Sequence, residues 1–213
     1  HLMTIGSILQ YATQDCTVWG SGFISNGSSP KQIPNKIHAL RGPRSQQRLT
    51  QLGIASVNLF GDPALLTSMF VKKTRSPVKG RIGFIPHYVD WKHCPKIELA
   101  SEKNVQLIDI RTNDIAEFSR QLLTCEIVIS SSLHGIIIAE SFGVPAVWCK
   151  ISGSVVGDGF KFNDYFLGTG RQCEATSIKE IHAKNAAVHA IAPIKNLDQI
   201  QNDLLGAFPN EFR

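Results

Sequence analysis

The chain has 213 residues, 43% of them hydrophobic and 18% charged. That is enough apolar material for one generous core or two small ones, which argues against disorder. No apolar stretch approaches the roughly 20 residues needed to cross a bilayer, and no basic segment followed by an apolar core opens the chain, so the expectation is a soluble intracellular protein. A formal charge of +5 and a pI near 9.0 admit nucleic acid, anionic lipid surfaces or phosphorylated small molecules as partners. Like charges never run to five in a row, and the aromatic residues do not alternate with Lys and Arg, which disfavours nucleic acid. The five cysteines are scattered and never form C-x-x-C, so reduced, mostly buried thiols are expected instead of disulfides or a zinc knuckle.

Residues 1–9 read as an apolar strand. Residues 16–23 form a β-favouring run broken by Gly20 and Gly22, followed by a loop over 25–35 and a strand over 36–40. Arg41-Gly42-Pro43-Arg44-Ser45 makes a basic turn, Ser45 can cap a helix over 46–52, and Gly53 would end it. A short strand over 54–60 leads to Gly61-Asp62-Pro63, which supplies a turn, an N-cap aspartate and a first-turn proline for a helix over 64–70. The polar stretch 72–79, with Lys72, Lys73, Arg75, Pro77 and Lys79, is the expected linker, and it divides the chain into halves over 1–75 and 76–213.

The second half predicts strands over 81–86 and 105–110 and a helix over 114–125 with Ile115, Phe118, Leu122 and Leu123 on its apolar face. Residues 126–148 are the most informative. An apolar run ends in Ser130-Ser131-Ser132, a helix begins around Leu133-His134-Gly135, Gly143 stops it, and Val144 to Trp148 resume an extended run, which is a βαβ unit. The glycine-rich residues 151–160 read as a mobile loop, and 161–166 lead toward helical segments around 178–187 and 197–208. Alternating strands and helices imply a parallel α/β sheet in each half. In such sheets ligands collect beyond the carboxyl ends of strands, where helix N–H groups and the helix dipole favour anions, and residues 130–135 lie at such an end.

Several separated motifs then stand in order: Ile5-Gly6-Ser7-Ile8-Leu9, Trp19-Gly20-Ser21-Gly22-Phe23, Arg41-Gly42-Pro43-Arg44-Ser45, Gly61-Asp62-Pro63-Ala64-Leu65-Leu66, Ile82-Gly83-Phe84-Ile85-Pro86-His87, Ser131-Ser132-Leu133-His134-Gly135 and Lys161-Phe162-Asn163-Asp164-Tyr165-Phe166. Together they resemble the polysaccharide pyruvyl transferase family, in the branch acting on exopolysaccharide sugars. The resemblance implies two Rossmann-like halves facing a cleft, similar to the GT-B architecture. It also implies phosphoenolpyruvate as donor, a saccharide or lipid-linked oligosaccharide as acceptor, and no separate cofactor. Family members carry residues before the Gly6-Ser7 motif, so the N-terminal, acceptor-side half is expected to be partial. Many relatives place an arginine two residues before the histidine, where this chain has Ser132.

Ketal formation from phosphoenolpyruvate needs a site for several negative charges and a group that moves protons near neutral pH, for which histidine suits best; no metal is required. His134 is the acid/base candidate, against the alternative of local capping or packing. Ser131 and Ser132, with the N–H groups of Gly135 and Ile136, are candidates for holding phosphate or carboxylate, against ordinary N-capping. Arg41 and Arg44 are candidate replacement cations for the position taken by Ser132, against a solvated turn. Asp62 caps its helix or serves as a second candidate base. His87, at a strand end, touches the donor or is a satisfied loop histidine. Lys161 and Asp164 suggest a lid over the bound phosphate, against ordinary surface positions. Trp19 and Trp91 stack on sugars or belong to the core.

Two other functions fit the residues less well. Glu140 followed by Gly143-Val144-Pro145 resembles the donor helix of GT-B glycosyltransferases that use nucleotide sugars, and a non-catalytic glycan- or phosphate-binding module fits the serine at position 132. A lipid-linked acceptor would bring a cytoplasmic protein to the inner membrane face by peripheral association, aided by its positive charge.

Overall fold

Short β-branched runs closed off by glycine, serine and proline build two separate parallel sheets. The structure, a computed structural model, describes residues 1–71 and 74–213; Lys72 and Lys73, the start of the expected linker, lie outside the described residues. In chain order the elements are β1 (Leu2–Met3), β2 (Thr17–Trp19), β3 (Lys36–Ala39), α1 (Pro43–Gln51), α2 (Thr67–Phe70), β4 (Ile82–Ile85), α3 (Glu98–Ser101), β5 (Val105–Leu107), α4 (Ile115–Leu123), β6 (Ile127–Ser130), α5 (Leu133–Ser141), β7 (Ala146–Lys150), α6 (Phe160–Gly168), β8 (Thr176–Ser177) and α7 (Leu197–Gly206). Among the described residues no helix is long and apolar enough to cross a membrane.

Contacts divide the chain into one unit of His1–Leu65, Val156–Cys173 and Ile194–Arg213, and another of Leu66–Val155 and Glu174–Pro193. Where the sequence suggested a single boundary at 75/76, the chain changes unit between 65 and 66, and two later segments return to the first unit. Packing explains the returns: α6 lies against α1, and α7 is tied down when the Trp19 Nε1–H donates to the Leu204 carbonyl at 2.9 Å and the Gln201 amide to that of Leu65 at 2.7 Å.

In the first unit β1, β2 and β3 pair in parallel in that order. Residues 1–9 are not one strand: β1 ends at Met3, Gly6 turns the chain with φ +127°, and Leu9–Tyr11 form a 3-10 turn. The strand expected over 54–60 reduces to one bridge between Phe60 and Leu40. Helix α1 starts three residues before the expected position, with Gly42 as N-cap and Pro43 in its first turn, because the Ser45 hydroxyl turns inward instead of capping. The core joins Leu9, Val18, Phe23, Leu40, Leu49 and Phe160.

The second unit holds a five-stranded sheet of order β5-β4-β6-β7-β8, with all pairs parallel. Numbered by appearance within the unit, that is 2-1-3-4-5, a doubly wound Rossmann-like order that reverses direction between β4 and β6. The βαβ reading holds closely, and Gly143 ends α5 with φ +67°. Helix α5 has no polar stripe: every residue but His134 is buried, because the helix sits on β6 and β7 with α2 and α4 packed against it. The helix expected around 178–187 is two 3-10 turns, Ile178–Glu180 and Ala186–His189.

All five cysteines are free thiols; four are buried and Cys173 is half-buried. Burial, reinforced by the Asp90 carboxylate, pushes the Cys94 and Cys149 thiols up from the usual range, so thiolate is suppressed there. Titration of the native protein with an aromatic disulfide reagent is therefore expected to modify Cys173 first and Cys149 only after denaturation; rapid native labelling of Cys149, read by peptide mapping, would contradict this packing.

Candidate active site

The strand order of the second unit reverses between β4 and β6, and open α/β sheets bind ligands beyond the carboxyl ends of the strands at such a reversal. Both expected motifs end there. The chain leaves β4 through Pro86-His87 and leaves β6 through Ser131-Ser132, and the His87 N–H donates to Ser131 Oγ at 2.9 Å, joining the two strand ends.

A residue that sequence reasoning missed organises this edge. Asp90 is fully buried, and its carboxylate accepts hydrogen bonds from Ser131 Oγ at 2.7 Å and from the Ser152 hydroxyl beyond β7. A buried carboxylate without such partners would be strongly unfavourable, so Asp90 fastens the loops that follow three successive strands. The turn that holds it closes through Asp90 N–H to His87 O and His93 N–H to Asp90 O, each 2.8 Å. Only its place after a strand end signalled it, since no motif includes Asp90 or Ser152.

The expectations for the serines are corrected accordingly. The Ser131 hydroxyl donates its proton to Asp90 and accepts from His87, so it positions the loop and has no proton to offer a ligand. Ser130 Oγ donates to the Ile85 carbonyl at the end of β4 at 2.7 Å, lies 2.9 Å from the Ser132 carbonyl and accepts from the Ser132 N–H at 3.0 Å. Ser132 occupies the N-cap position of α5, but its side chain makes no capping bond. The Ile136 N–H, expected to face a ligand, closes the first helical turn on the Ser132 carbonyl at 3.3 Å.

The outward N–H groups of a helix are those of its first residues. Here those of Leu133 and Gly135 make no hydrogen bond among the described residues, and His134, half-buried, stands between them. Gly135 is needed for close approach: a Cβ there would lie 2.5 Å from Ser130 Oγ and 2.9 Å from Ile85 Cγ2. The absent side chain lets the helix N-terminus settle on the ends of β4 and β6.

Arg111, also missed from sequence, follows β5 at the same edge of the sheet. Its guanidinium grips Asp109 through Nε–Oδ1 at 2.9 Å and Nη2–Oδ2 at 2.7 Å and lies 4.3 Å from the Trp91 ring centroid. The bidentate hydrogen bonds hold the Asp109 carboxyl below the usual carboxylate range. Trp91 therefore faces a cation here.

The first unit corrects the reading of Arg41, Asp164 and Lys161. Arg41 and Asp164 are each other's partners, both side chains fully buried and 2.9 Å apart. Arg41 Nε donates to Asp164 Oδ2, Nη1 to Ser7 Oγ and Nη2 to the Phe23 carbonyl; Asp164 also accepts from the Ser45 N–H and hydroxyl. A guanidinium with no exposed surface cannot grip a soluble donor, so Arg41 is an internal strut. The backbones meet so closely here that a Cβ on Gly42 would lie 1.8 Å from the Asp164 carbonyl oxygen. Lys161 and Asp164, expected to follow the loop as a lid, are buried in the first turns of α6. Asp62 is buried and its Oδ1 caps the Ala64 N–H at 3.0 Å, while Arg44 points to the exterior. Trp19 is a core residue, edge-on to Phe208 at 4.8 Å.

Removing one member of a buried ion pair leaves the other uncompensated, at a cost of about 3–5 kcal/mol. Arg41→Ala is expected to lower stability by that amount in urea unfolding, and Asp164→Ala likewise, with the double variant less destabilised than the sum. Strictly additive losses would contradict the coupling.

Residues 16–153 match the family model for polysaccharide pyruvyl transferases. An uncharacterized protein of Acanthamoeba polyphaga mimivirus is 32% identical over 170 residues, covering 78% of this chain and 58% of its own length. The succinoglycan biosynthesis protein ExoV of Rhizobium meliloti is 25% identical over 159 residues, covering 75% and 49% respectively. The chain thus spans about half the length of these curated relatives. No solved structure matches it significantly. With two parallel α/β units, a histidine at the first turn of the helix beyond the strand reversal, and a family match over most of the sequence, the chain belongs to the polysaccharide pyruvyl transferase family.

Proposed function

We propose that this protein transfers pyruvate from phosphoenolpyruvate to two hydroxyls of a saccharide as a ketal, with His134 moving the protons. The observation that carries the reading is that His134 is the one residue of α5 not buried, at the helix N-terminus beyond the β4/β6 reversal, flanked by the uncommitted N–H groups of Leu133 and Gly135. Such N–H groups and the helix dipole favour an anion.

The donor methylene takes up a proton and becomes a methyl group. A sugar hydroxyl oxygen bonds to C2 and loses its proton, the C2–O bond to phosphate breaks, and a second hydroxyl bonds to C2 with loss of its own proton. Of the two hydroxyl protons, one replaces that delivered to carbon and the other leaves with phosphate. An imidazole beside C2 can donate a proton in one step and accept one in the next, the role of a positioned general acid and base.

The donor's charge is met by the α5 N–H groups, by the Ser132 hydroxyl at the N-cap, and by Arg111, a cation on the same sheet edge. We assign neither Arg41, which is buried, nor Asp62, which caps a turn, to the chemistry. His87 lines the donor site. The acceptor is a polysaccharide or its lipid-linked precursor; the latter would draw a cytoplasmic protein to the anionic inner membrane face, which a charge of +5 favours.

His134→Ala is expected to abolish acceptor-dependent phosphate release while leaving phosphoenolpyruvate affinity within about tenfold, ~1.4 kcal/mol. Retained turnover would remove His134 from the mechanism. Arg111→Ala is expected to raise the KM for phosphoenolpyruvate by about tenfold, the scale of one lost charged contact. Calorimetric binding of nucleotide sugars in preference to phosphoenolpyruvate would replace this reading with glycosyl transfer.

A further inference from the structure

The Arg41-Gly42-Pro43-Arg44 turn sends its two arginines to opposite environments, and the outer one reaches a pocket that none of the chemistry above uses. A cavity of about 680 Å3 in the first unit is bounded by Ser25, Asn26 and Gly27, by Arg44 and Gln47 of α1, and by Gly157, Asp158 and Phe160 at the start of α6. Its volume lies within the ~300–1,000 Å3 usual for small-molecule sites.

The walls are built rigidly. Gly157, at φ +98°, approaches the Ile24 carbonyl so closely that a Cβ would lie 2.0 Å from its oxygen, which joins the third wall to the first. Arg48 Nε donates to the Ser28 carbonyl at 2.8 Å, fixing the first wall to α1. Phe160 is buried in the core and the Arg44 guanidinium lies 6.0 Å from its ring centroid. Between two glycines of positive φ, Asp158 adopts a left-handed backbone (φ +44°), alone among the described non-glycine residues. That conformation presents an exposed carboxylate at the pocket.

The lining chemistry selects the ligand. Arg44 only donates, ionised Asp158 only accepts, and Asn26, Gln47 and Ser25 do both. The side chains of Asn26, Arg44, Gln47 and Asp158 make no hydrogen bond or ion pair among the described residues. One cation is balanced by one carboxylate, so neither a phosphate nor a cationic ligand gains from the pocket's net charge, and an apolar ligand would strand five polar side chains. A ligand whose neighbouring hydroxyls each donate and accept satisfies the set.

We propose that this pocket is a saccharide-binding subsite, in which Arg44 and Asp158 hold neighbouring hydroxyls of one sugar of the acceptor chain. That the sugar belongs to the acceptor rests on the pyruvyl transfer reading; that the pocket binds sugar does not.

The test separates the two. Binding of methyl β-glucopyranoside, methyl β-galactopyranoside and cellobiose is measured by ligand-observed NMR on the purified chain without phosphoenolpyruvate, with inorganic phosphate as competitor. At least one sugar is expected to bind, undisturbed by phosphate, and to lose fivefold or more in affinity in Arg44→Ala and in Asp158→Gly, which retains the left-handed backbone. Asp158→Asn is expected to restore part of the affinity, and all variants to keep the wild-type melting temperature. Where turnover is measurable, the same variants raise the KM for acceptor and leave that for phosphoenolpyruvate within twofold. Absence of binding by all three sugars, displacement by phosphate, or unchanged affinity in both variants overturns the subsite. Sugar binding that depends on Arg44 and Asp158 without any phosphoenolpyruvate-dependent turnover supports the subsite and contradicts pyruvyl transfer.

Discussion

A carboxylate taken fully out of water must be met by donors on every side, and each unit of this protein is organised around one such group. In the first unit Asp164 gathers Arg41, the Ser45 N–H and the Ser45 hydroxyl. In the second Asp90 gathers the hydroxyls of Ser131 and Ser152. Both operate where parallel strands stop and their polar ends would otherwise be left unsatisfied. The difference lies in the counter-group. Asp164 has a guanidinium and closes the interior, whereas Asp90 meets hydroxyls and fixes loops at the edge where a ligand binds in this class of sheet.

That division decides which motif residues remain available for chemistry. Arg41, Asp164 and Ser131 all stood among the candidate site residues, and all three are occupied in holding backbone segments together. What remains for a ligand is sparser: the side chain of Ser132 and the first N–H groups of α5, which make no capping bond, beside the half-buried His134 in the second unit, and the exposed Arg44 with Asp158 in the first. Glycines make both arrangements feasible. Gly135 lets a helix start against two strand ends, and Gly42 lets α1 press on the backbone of α6.

The α/β class, the parallel sheets and the βαβ unit around His134 were legible because each rests on local signals: β-branched runs, a serine turn, a stop glycine. The helix expected over 114–125 was equally local, and the structure adds its cap, the Asp114 carboxylate accepting from the Glu117 N–H at 2.9 Å. The return of 156–173 to the first unit was not, since it depends on Asp164 meeting Arg41 across 123 positions of chain. Asp90 escaped notice for the same reason: its partners lie 41 and 62 residues away. Ser45 misled because a serine before a helical run reads as a cap, while its hydroxyl here serves a buried aspartate and accepts from the Phe23 N–H at 2.9 Å. The strand expected over 54–60 failed because an apolar run becomes a strand only where a neighbour extends the ladder, and Leu40 offers a single bridge.

Whether the N-terminus of α5 receives the donor, as proposed, is decided by a crystal structure of the protein with phosphoenolpyruvate. Density with an anionic group on the N–H groups of Leu133 and Gly135 and the enol carbon beside His134 is the expected result. Density for the donor elsewhere, with the α5 N-terminus solvated, would contradict it.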